Sequence, residues 1–477
     1  MEPSQVFQAL ENLYREVLQS SQTRFPVAGE REGFVASSAN LAAYLELRSH
    51  DLRPLQDELA LLGLSSLGRS EARVIPSLAA TLRTLGLALG KNSEDLPPYP
   101  SRETFFAGRK EIAHQASELF GTEPKGRYTR IMVTLPTQAA TNPELLLNLL
   151  AKGTDLVRIN TAHDNSEIWQ AMLANLTKAQ DQTGRSVRVL FDLAGPKLRV
   201  EAVGPDPQGF RVHSGDSFKL CAGDLIGSNA IRASVALLDR LEVGTRVSLD
   251  DGKIAAYVES VSDDCARIKV EQTPIKGARV TTGKGINFPG LELDLPPLSP
   301  ADLAVLPFVA QNADLIGFSF VQRPEDLKLL DMALAKSRKI PLILKIETRL
   351  AVRNLPELLV ASGSQRPTGV MIARGDLAVE LSYQRLAEMQ EELLWLCEAA
   401  HTPVVWATQV LERLVKKGTP ARGEVTDAAA ASQSECVMLN KGPFLVEAVE
   451  LLDDVLRRMQ SHRVKKTPLL RPLKAWS

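Results

Sequence analysis

At 477 residues the chain is too long for one ordinary hydrophobic core, so two or three domains are expected. Its 44% hydrophobic and 24% charged residues are the balance of a globular protein. Lys plus Arg (56) almost cancels Asp plus Glu (57), and a net charge of -1 excludes a broad electrostatic footprint for nucleic acid or anionic lipid. An anionic ligand must therefore be held by a local cluster of cations. Cys221, Cys265, Cys397 and Cys436 stand far apart with no C-x-x-C pair, so neither a zinc site nor a disulfide framework is expected. The opening MEPSQVFQALENLYREV lacks the features of a secretory signal, and no stretch reaches the roughly 18 apolar residues that span a bilayer. A cytoplasmic protein with no membrane partner is the expectation.

The region 1–124 reads as helical. Val6, Leu10, Leu13, Val17 and Leu18 recur at helical spacing, as do Leu78, Leu82, Leu85 and Leu89. The Pro-rich stretch NSEDLPPYPSR at 92–102 ends this pattern, and a short helix over Gly108–Phe120 leads onward. From Tyr128 strands and helices alternate. Strands are predicted at Arg130–Thr134, Leu156–Asn160, Val187–Asp192, Asp314–Ser319, Pro341–Ile346, Gly369–Ala373, Pro403–Ala407 and Cys436–Leu439. Amphipathic helices follow at Pro143–Lys152, Glu167–Thr183, Pro324–Ala335, Leu386–Ala400 and Glu447–Gln460. Some eight such units over about 250 residues suit a TIM (β/α)₈ barrel, although an open doubly wound sheet uses the same units. Between them, 201–283 is rich in Val, Gly and short alternating runs, which reads as a small β-barrel domain inserted in a loop. The expected organisation is thus an all-α region 1–124, a barrel from 125–200 and 284–462, a β lid at 201–283, and a basic tail at 463–477.

The active end of such a barrel is where its strands finish. Those ends carry Thr134, Arg158, Asn160, Asp192, Ser319, Lys345, Glu347, Arg374, Asp376 and Thr408. Residues two apart on a strand share a face, so Lys345 and Glu347 enter one pocket while Ile346 faces the helices. Glu347 and Asp376 together suit Mg²⁺ (or Mn²⁺), which takes one or two protein carboxylates and fills its shell with substrate and water. The Gly375-Asp376 pair lies just before a helix pattern, whose N–H groups suit a substrate carboxylate. Lys345 and Arg158 would then offset the charge of a transferring phosphoryl group. The bland alternative is a buried ion pair of Lys345 with Glu347 or Asp376.

TRIMVT, DLVRINTAH, FDLAGPKLR, VSLDDGKI, GKGINFPG, DLIGFSFV, LKIE, VMIARGDLAVE, PVVWATQVLE and PARGEVTD occur in the order found in pyruvate kinases. The chain resembles that family over about residues 126 to 460, and the resemblance implies transfer of the phosphoryl group of phosphoenolpyruvate to ADP. It implies Glu347 and Asp376 as Mg²⁺ ligands, Lys345 and Arg158 as phosphoryl contacts, and Thr408 near the pyruvate methyl with a part in proton delivery. Gly375, Asp376 and Thr408 resemble the substrate-carboxylate site, and His163, Arg199 and Lys284 resemble nucleotide contacts. Each has a plainer alternative. His163 can cap the next helix, Thr408 can be a satisfied hydroxyl, Arg199 can pair with a carboxylate of the insert, and Lys284 can be solvated. Asp250-Asp251-Gly252 reads better as a hairpin turn than as a site.

Departures from the family pattern are informative. Lys197 stands where K⁺-dependent members carry Glu, Ala162 where a Ser is usual, and Leu193 where a Thr is usual. A tethered ammonium near Asp192 and Asn160 would replace a monovalent cation, so no K⁺ requirement is expected. Leu135-Pro136-Thr137 replaces the usual Ile-Gly-Pro, and Leu439-Asn440-Lys441-Gly442 replaces a Ser-Gly-Glu-Thr segment. No counterpart of the family's C-terminal domain, with its effector site, is expected, and the N-terminal helices suggest a role in homo-oligomer assembly. Two other readings remain: a Mg²⁺-dependent pyruvate or oxaloacetate aldolase-type enzyme, and a catalytically weak binding or regulatory protein.

Overall fold

The computed structural model describes residues 1–25, 31–225, 229–233, 237–334 and 339–470. Eight strands form a closed barrel: β1 (Arg130–Thr134), β2 (Leu156–Asn160), β3 (Arg188–Asp192), β4 (Leu315–Phe318), β5 (Leu342–Ile346), β6 (Thr368–Ala373), β7 (Val404–Ala407) and β8 (Cys436–Leu439). Each pairs in parallel with its chain neighbours, and β8 returns to β1 with Arg130 opposite Cys436. The open doubly wound alternative is thereby excluded.

Strand alternation sorts the side chains into two layers. Ile131, Val157, Phe191, Leu344, Ile346 and Trp406 pack outward against the helices. Met132, Leu156, Leu190, Leu315, Ile343 and Met371 fill the barrel interior. Branched apolar residues facing both ways explain why these strands read as continuous hydrophobic runs. The lower opening is plugged by Ala116, Leu119 and Phe120 at the end of a helix over Arg102–Phe120. That helix starts at Arg102, earlier than the expected Gly108, because the Ser101 hydroxyl caps it by accepting from the Thr104 N–H.

The N-terminal region is all helical, with α1 (Pro3–Thr23), α2 (Val35–Leu47), α3 (Arg53–Leu61), α4 (Val74–Ala88) and α5 (Arg102–Phe120). Val6, Leu10, Leu13 and Val17 of α1 are buried with Leu78 and Leu82 of α4. Leu89 falls outside α4 and is exposed. The bundle docks on the barrel through polar contacts that a hydrophobic pattern does not reveal. Asn40 donates to the carbonyls of Glu71 and Ala399, and Ser37 meets His401 Nδ1 at 3.0 Å.

The inserted domain has its own core, around Val212, Phe218, Ile254, Val258 and Ile268. Seven strands make a mixed sheet from Ile286–Asn287 at one side to Val200–Gly204 at the other. A bridge between Arg199 and Gly285 joins the two sides and gives the barrel-like closure. Contrary to expectation, Cys221 and Cys265 form a disulfide. Antiparallel pairing sets them directly opposite each other, a closeness that their 44-residue separation conceals.

Smaller differences from the sequence reading concern element ends. The helix from Pro324 is described to Leu334, and the expected Ala335 lies outside the described residues. The basic tail forms a short hairpin of Arg463–Val464 with Thr467–Pro468, and residues 471–477 lie outside the described residues. No helix among the described residues is long and apolar enough to cross a membrane.

Candidate active site at the strand ends

The ends of β3, β4 and β5 converge on one buried ammonium. Lys345, near the end of β5, donates to Ser319 Oγ at 2.5 Å and lies 3.1 Å from Asp192 Oδ1 and 3.3 Å from Glu347 Oε1. Arg158 of β2 contacts Asp192 Oδ2 at 2.6 Å and donates to Thr134 Oγ1 at 3.0 Å. Lys345 is 8% exposed, so its charge persists only because carboxylates surround it. Burial alone would pull its pKa down, but Asp192 and Glu347 hold it above the ordinary lysine value. For Asp192 burial pushes upward, yet Lys345 and Arg158 keep it below the usual carboxylate range.

Glu347 is the odd member. Burial pushes its carboxyl up and the charge of Asp376 adds to this, with Lys345 and the Phe320 N–H opposing. Phe320 has φ 54°, a left-handed backbone that is strained for a bulky residue, and it turns its N–H onto Glu347 Oε2 at 2.6 Å. Asp376 is thus close enough to raise the proton affinity of Glu347, and the two carboxylates side by side form a donor set that fits a divalent cation.

Asp376 was expected just before a helix. Instead β6 runs directly into the helix Arg374–Leu381, with Ala373 as its cap, and Gly375 and Asp376 lie in the first turn. The Gly375 N–H donates to Thr408 Oγ1 at 2.9 Å. Thr408 and Gln409 both have left-handed backbones, with φ 64° and 59°. Such strain at two consecutive non-glycine residues needs firm support. Arg374 provides it, donating to the carbonyls of Ala407 (2.9 Å) and Thr408 (2.6 Å) and lying over the Trp406 ring. Asp427 in turn grips Arg374 with both carboxylate oxygens, at 2.5 and 2.9 Å.

Lys197 was expected beside Asp192 and Asn160; its ammonium lies elsewhere. It contacts Asp376 Oδ1 at 2.7 Å and Asp251 Oδ1 at 3.2 Å. Burial works against its charge, but Asp376 and Asp251 raise its pKa. The chain turns at Gly195 (φ 70°), where a Cβ would meet the Ser319 Cβ at 2.9 Å, and so carries Lys197 toward the lid. Asp192 meanwhile is taken by Lys345 and Arg158, and Asn160 Oδ1 accepts from its own loop at the Ala162 N–H.

The expected nucleotide contacts surround the mouth. His163 is exposed; partial burial lowers its pKa, and the charges of Lys441, Arg199 and Arg158 lower it further against Asp164. Arg199 donates to the Gly283 carbonyl at 3.1 Å at the root of the lid. Lys284 pairs with Asp250 Oδ1 at 2.8 Å. Asp250-Asp251 does form a left-handed turn, yet Asp251 also reaches Lys197, so the turn doubles as a contact between lid and site. Thr137, after β1, donates to Asp164.

Three groups escaped the sequence reading: Asp427, which steadies the Thr408 loop; Asp251; and Glu380. Glu380 lines a cleft of about 200 Å³ between lid and barrel with Lys197, Arg349 and Phe320. Burial, with Asp376 adding and Arg349 opposing, pushes its carboxyl up to about 7. None sits at a strand end, the signal that pointed to Lys345, Glu347 and Arg158.

Fold and site together define a (β/α)₈ barrel with an inserted β domain, a buried ammonium and paired carboxylates at the mouth. A family model described as "Pyruvate kinase, barrel domain" matches residues 126–449. The chain is 31% identical over 354 residues to "Pyruvate kinase" of Mycobacterium intracellulare, covering 72% of each chain. It is 31% identical to "Pyruvate kinase 2" of Synechocystis, over 72% of this chain and 58% of that protein. For "Pyruvate kinase" of Geobacillus stearothermophilus the identity is 30%, over 70% and 57%. The chain belongs to the pyruvate kinase family of phosphotransferases.

Proposed function

We propose that this protein moves the phosphoryl group of phosphoenolpyruvate to ADP, giving pyruvate and ATP. The observation that carries this reading is the convergence of Lys345, Arg158, Asp192 and Ser319 beside the Glu347–Asp376 pair. Phosphoryl transfer asks a protein mainly for positioning and for positive charge where oxygens gather it.

Lys345 supplies that charge at the transferring group, with Ser319 and Asp192 fixing where its Nζ sits. Arg158 is pinned by Asp192 and Thr134 and offers its remaining N–H donors to the same oxygens. Glu347 and Asp376 would hold Mg²⁺ (or Mn²⁺), which supplies Lewis-acid neutralisation of the phosphate and the enolate oxygen. Binding it requires Asp376 to exchange Lys197 as a partner. The first turn of helix Arg374–Leu381 presents backbone N–H groups to a carboxylate substrate. Thr408, held by the Arg374–Asp427 clamp, places a hydroxyl for proton delivery to the enolate carbon. His163, Arg199 and Lys284 provide the cationic rim for the nucleotide phosphates, and the inserted domain covers them. Lys197 brings a fixed positive charge into this pocket, which supports a reaction without K⁺.

The same Lys197–Asp376 pair favours one second reading, a catalytically weak protein in which the ammonium occupies the metal ligand. The deciding experiment is pyruvate formation from phosphoenolpyruvate, ADP and Mg²⁺, followed without K⁺. Turnover that is abolished by chelating the metal supports the enzyme. Binding of phosphoenolpyruvate without pyruvate production supports the second reading.

A further inference from the structure

A cavity of about 870 Å³ lies at the other end of the barrel, where the strands begin. Its walls are the start of α5, the residues Tyr128 and Thr129 leading into β1, Ser432 before β8, and the hairpin after helix Leu445–Gln460. Five cationic side chains line it: Arg102, Arg109, Lys110, Arg463 and Lys465. Only two acids, Glu103 and Glu123, accompany them. With Lys465 paired to Glu435, four cations face two acids, a local excess of positive charge in a chain of net charge -1.

The cations fall into two sets. Those of the hairpin are anchored, with Lys465 buried against Glu435 and Arg463 hydrogen-bonded to Ser432 Oγ (3.1 Å) and the Ala429 carbonyl. Those of α5 are unspent: Arg109 and Lys110 have no hydrogen-bond or carboxylate partner among the described residues, and Arg102 lies over the Phe106 ring. The phosphotransfer residues all lie at the opposite mouth, so this concentration of charge has no part in the chemistry proposed above.

We propose that this cavity is a binding site for a small organic polyphosphate, a molecule with at least two phosphoryl charges. One phosphate meets the guanidinium and ammonium groups of α5, and the other meets the Arg463 guanidinium, Lys465 being buried against Glu435. Guanidinium forks match phosphate oxygens in pairs, and cations on two separate elements demand two separated anionic centres. The volume lies within the range that small ligands occupy, well above the need of a lone phosphate. Phe106 and Tyr128 add aromatic carbon to the lining, where a sugar or base would lie. The site is also mechanically placed: α5 plugs the barrel floor, and Glu435, which holds Lys465, accepts from the Val404 N–H at the start of β7.

Calorimetric titration of the full chain with inorganic tripolyphosphate, and separately with a nucleoside 3′,5′-bisphosphate, tests the proposal. One molecule per chain, besides any that the nucleotide rim at the opposite mouth takes, is expected to bind, more weakly as salt is raised. The exposed double substitution Arg109→Glu with Lys110→Glu is expected to weaken both ligands at least tenfold. Lys345→Met, which removes the ammonium at the opposite mouth, is expected to leave both affinities unchanged. Tighter binding of the bisphosphate than of tripolyphosphate would assign the aromatic wall to the organic group. Absence of binding, equal affinity in the double variant, or loss of binding in Lys345→Met would each overturn the assignment.

Discussion

Replacing Lys345 by Met keeps most of the length and apolar stem of the side chain while deleting one buried positive charge. At about 3 Å and an effective dielectric near 20, two unit charges interact by roughly 5 kcal/mol. Only the part of this that grows as charge gathers on the transferring group lowers the barrier, at about 1.4 kcal/mol per decade of rate. A loss of about two to four decades in kcat is therefore expected. Folding should suffer less than for an ordinary broken buried pair. Asp192 keeps Arg158 at 2.6 Å and Glu347 keeps the Phe320 N–H at 2.6 Å, so about 1–3 kcal/mol is expected rather than the ~3–5 of an orphaned charge. Mg²⁺ affinity should change little, because two effects oppose. Losing the ammonium raises the Glu347 proton affinity further, and it also removes a positive charge that repels the metal. The assay couples pyruvate formation to NADH oxidation, with a thermal melt to verify that the variant is folded and a separate Mg²⁺ titration. A folded variant whose kcat stays within threefold of the parent would remove Lys345 from the phosphoryl-transfer step.

Other expectations are as direct. Rates measured in Na⁺ or tetramethylammonium should match those in K⁺ within about twofold, because Lys197 keeps a tethered ammonium in the pocket, held by Asp251 when Asp376 turns to the metal; a strong K⁺ requirement would refute this role. Asp427→Ala leaves the Arg374 guanidinium without its counter-charge but with the Ala407 and Thr408 carbonyls, and should destabilise the fold by about 1–3 kcal/mol, visible as a lower Tm, with kcat falling as the strained Thr408 loop relaxes. An unchanged Tm would show that the clamp is not needed. Glu398 is pushed up to about 7 by burial, with Glu71 and Glu435 adding and Lys465 and Lys466 opposing. Its folded pKa exceeds the unfolded one, so stability present below about pH 4.5 is lost as pH rises toward 7, on the order of 2–3 kcal/mol. Glu398→Gln should therefore raise Tm at pH 8 and leave it unchanged at pH 4.5; equal shifts at both would reject the linkage.

Strand and helix periods made the barrel legible because its strands are largely apolar on both faces and seven of the eight, β1 to β7, finish in or beside a polar group of the site. Met132 and Ile131 alternate between interior and helices whatever their neighbours are, and Lys345 must share a face with Glu347 because strand geometry has period two. The same local rules located the α-helical region and the β insertion, whose alternation differs from that of the barrel. Partners chosen across the fold were another matter. Lys197 follows the Gly195 turn to Asp376 rather than Asp192, Cys221 meets Cys265 across a ladder, and Asp427 reaches Arg374 from a different helix. Periodicity fixes only which way a side chain leaves its own element. Which charge or sulfur it meets depends on how distant elements pack, and Coulomb energy then selects among the neighbours that packing supplies.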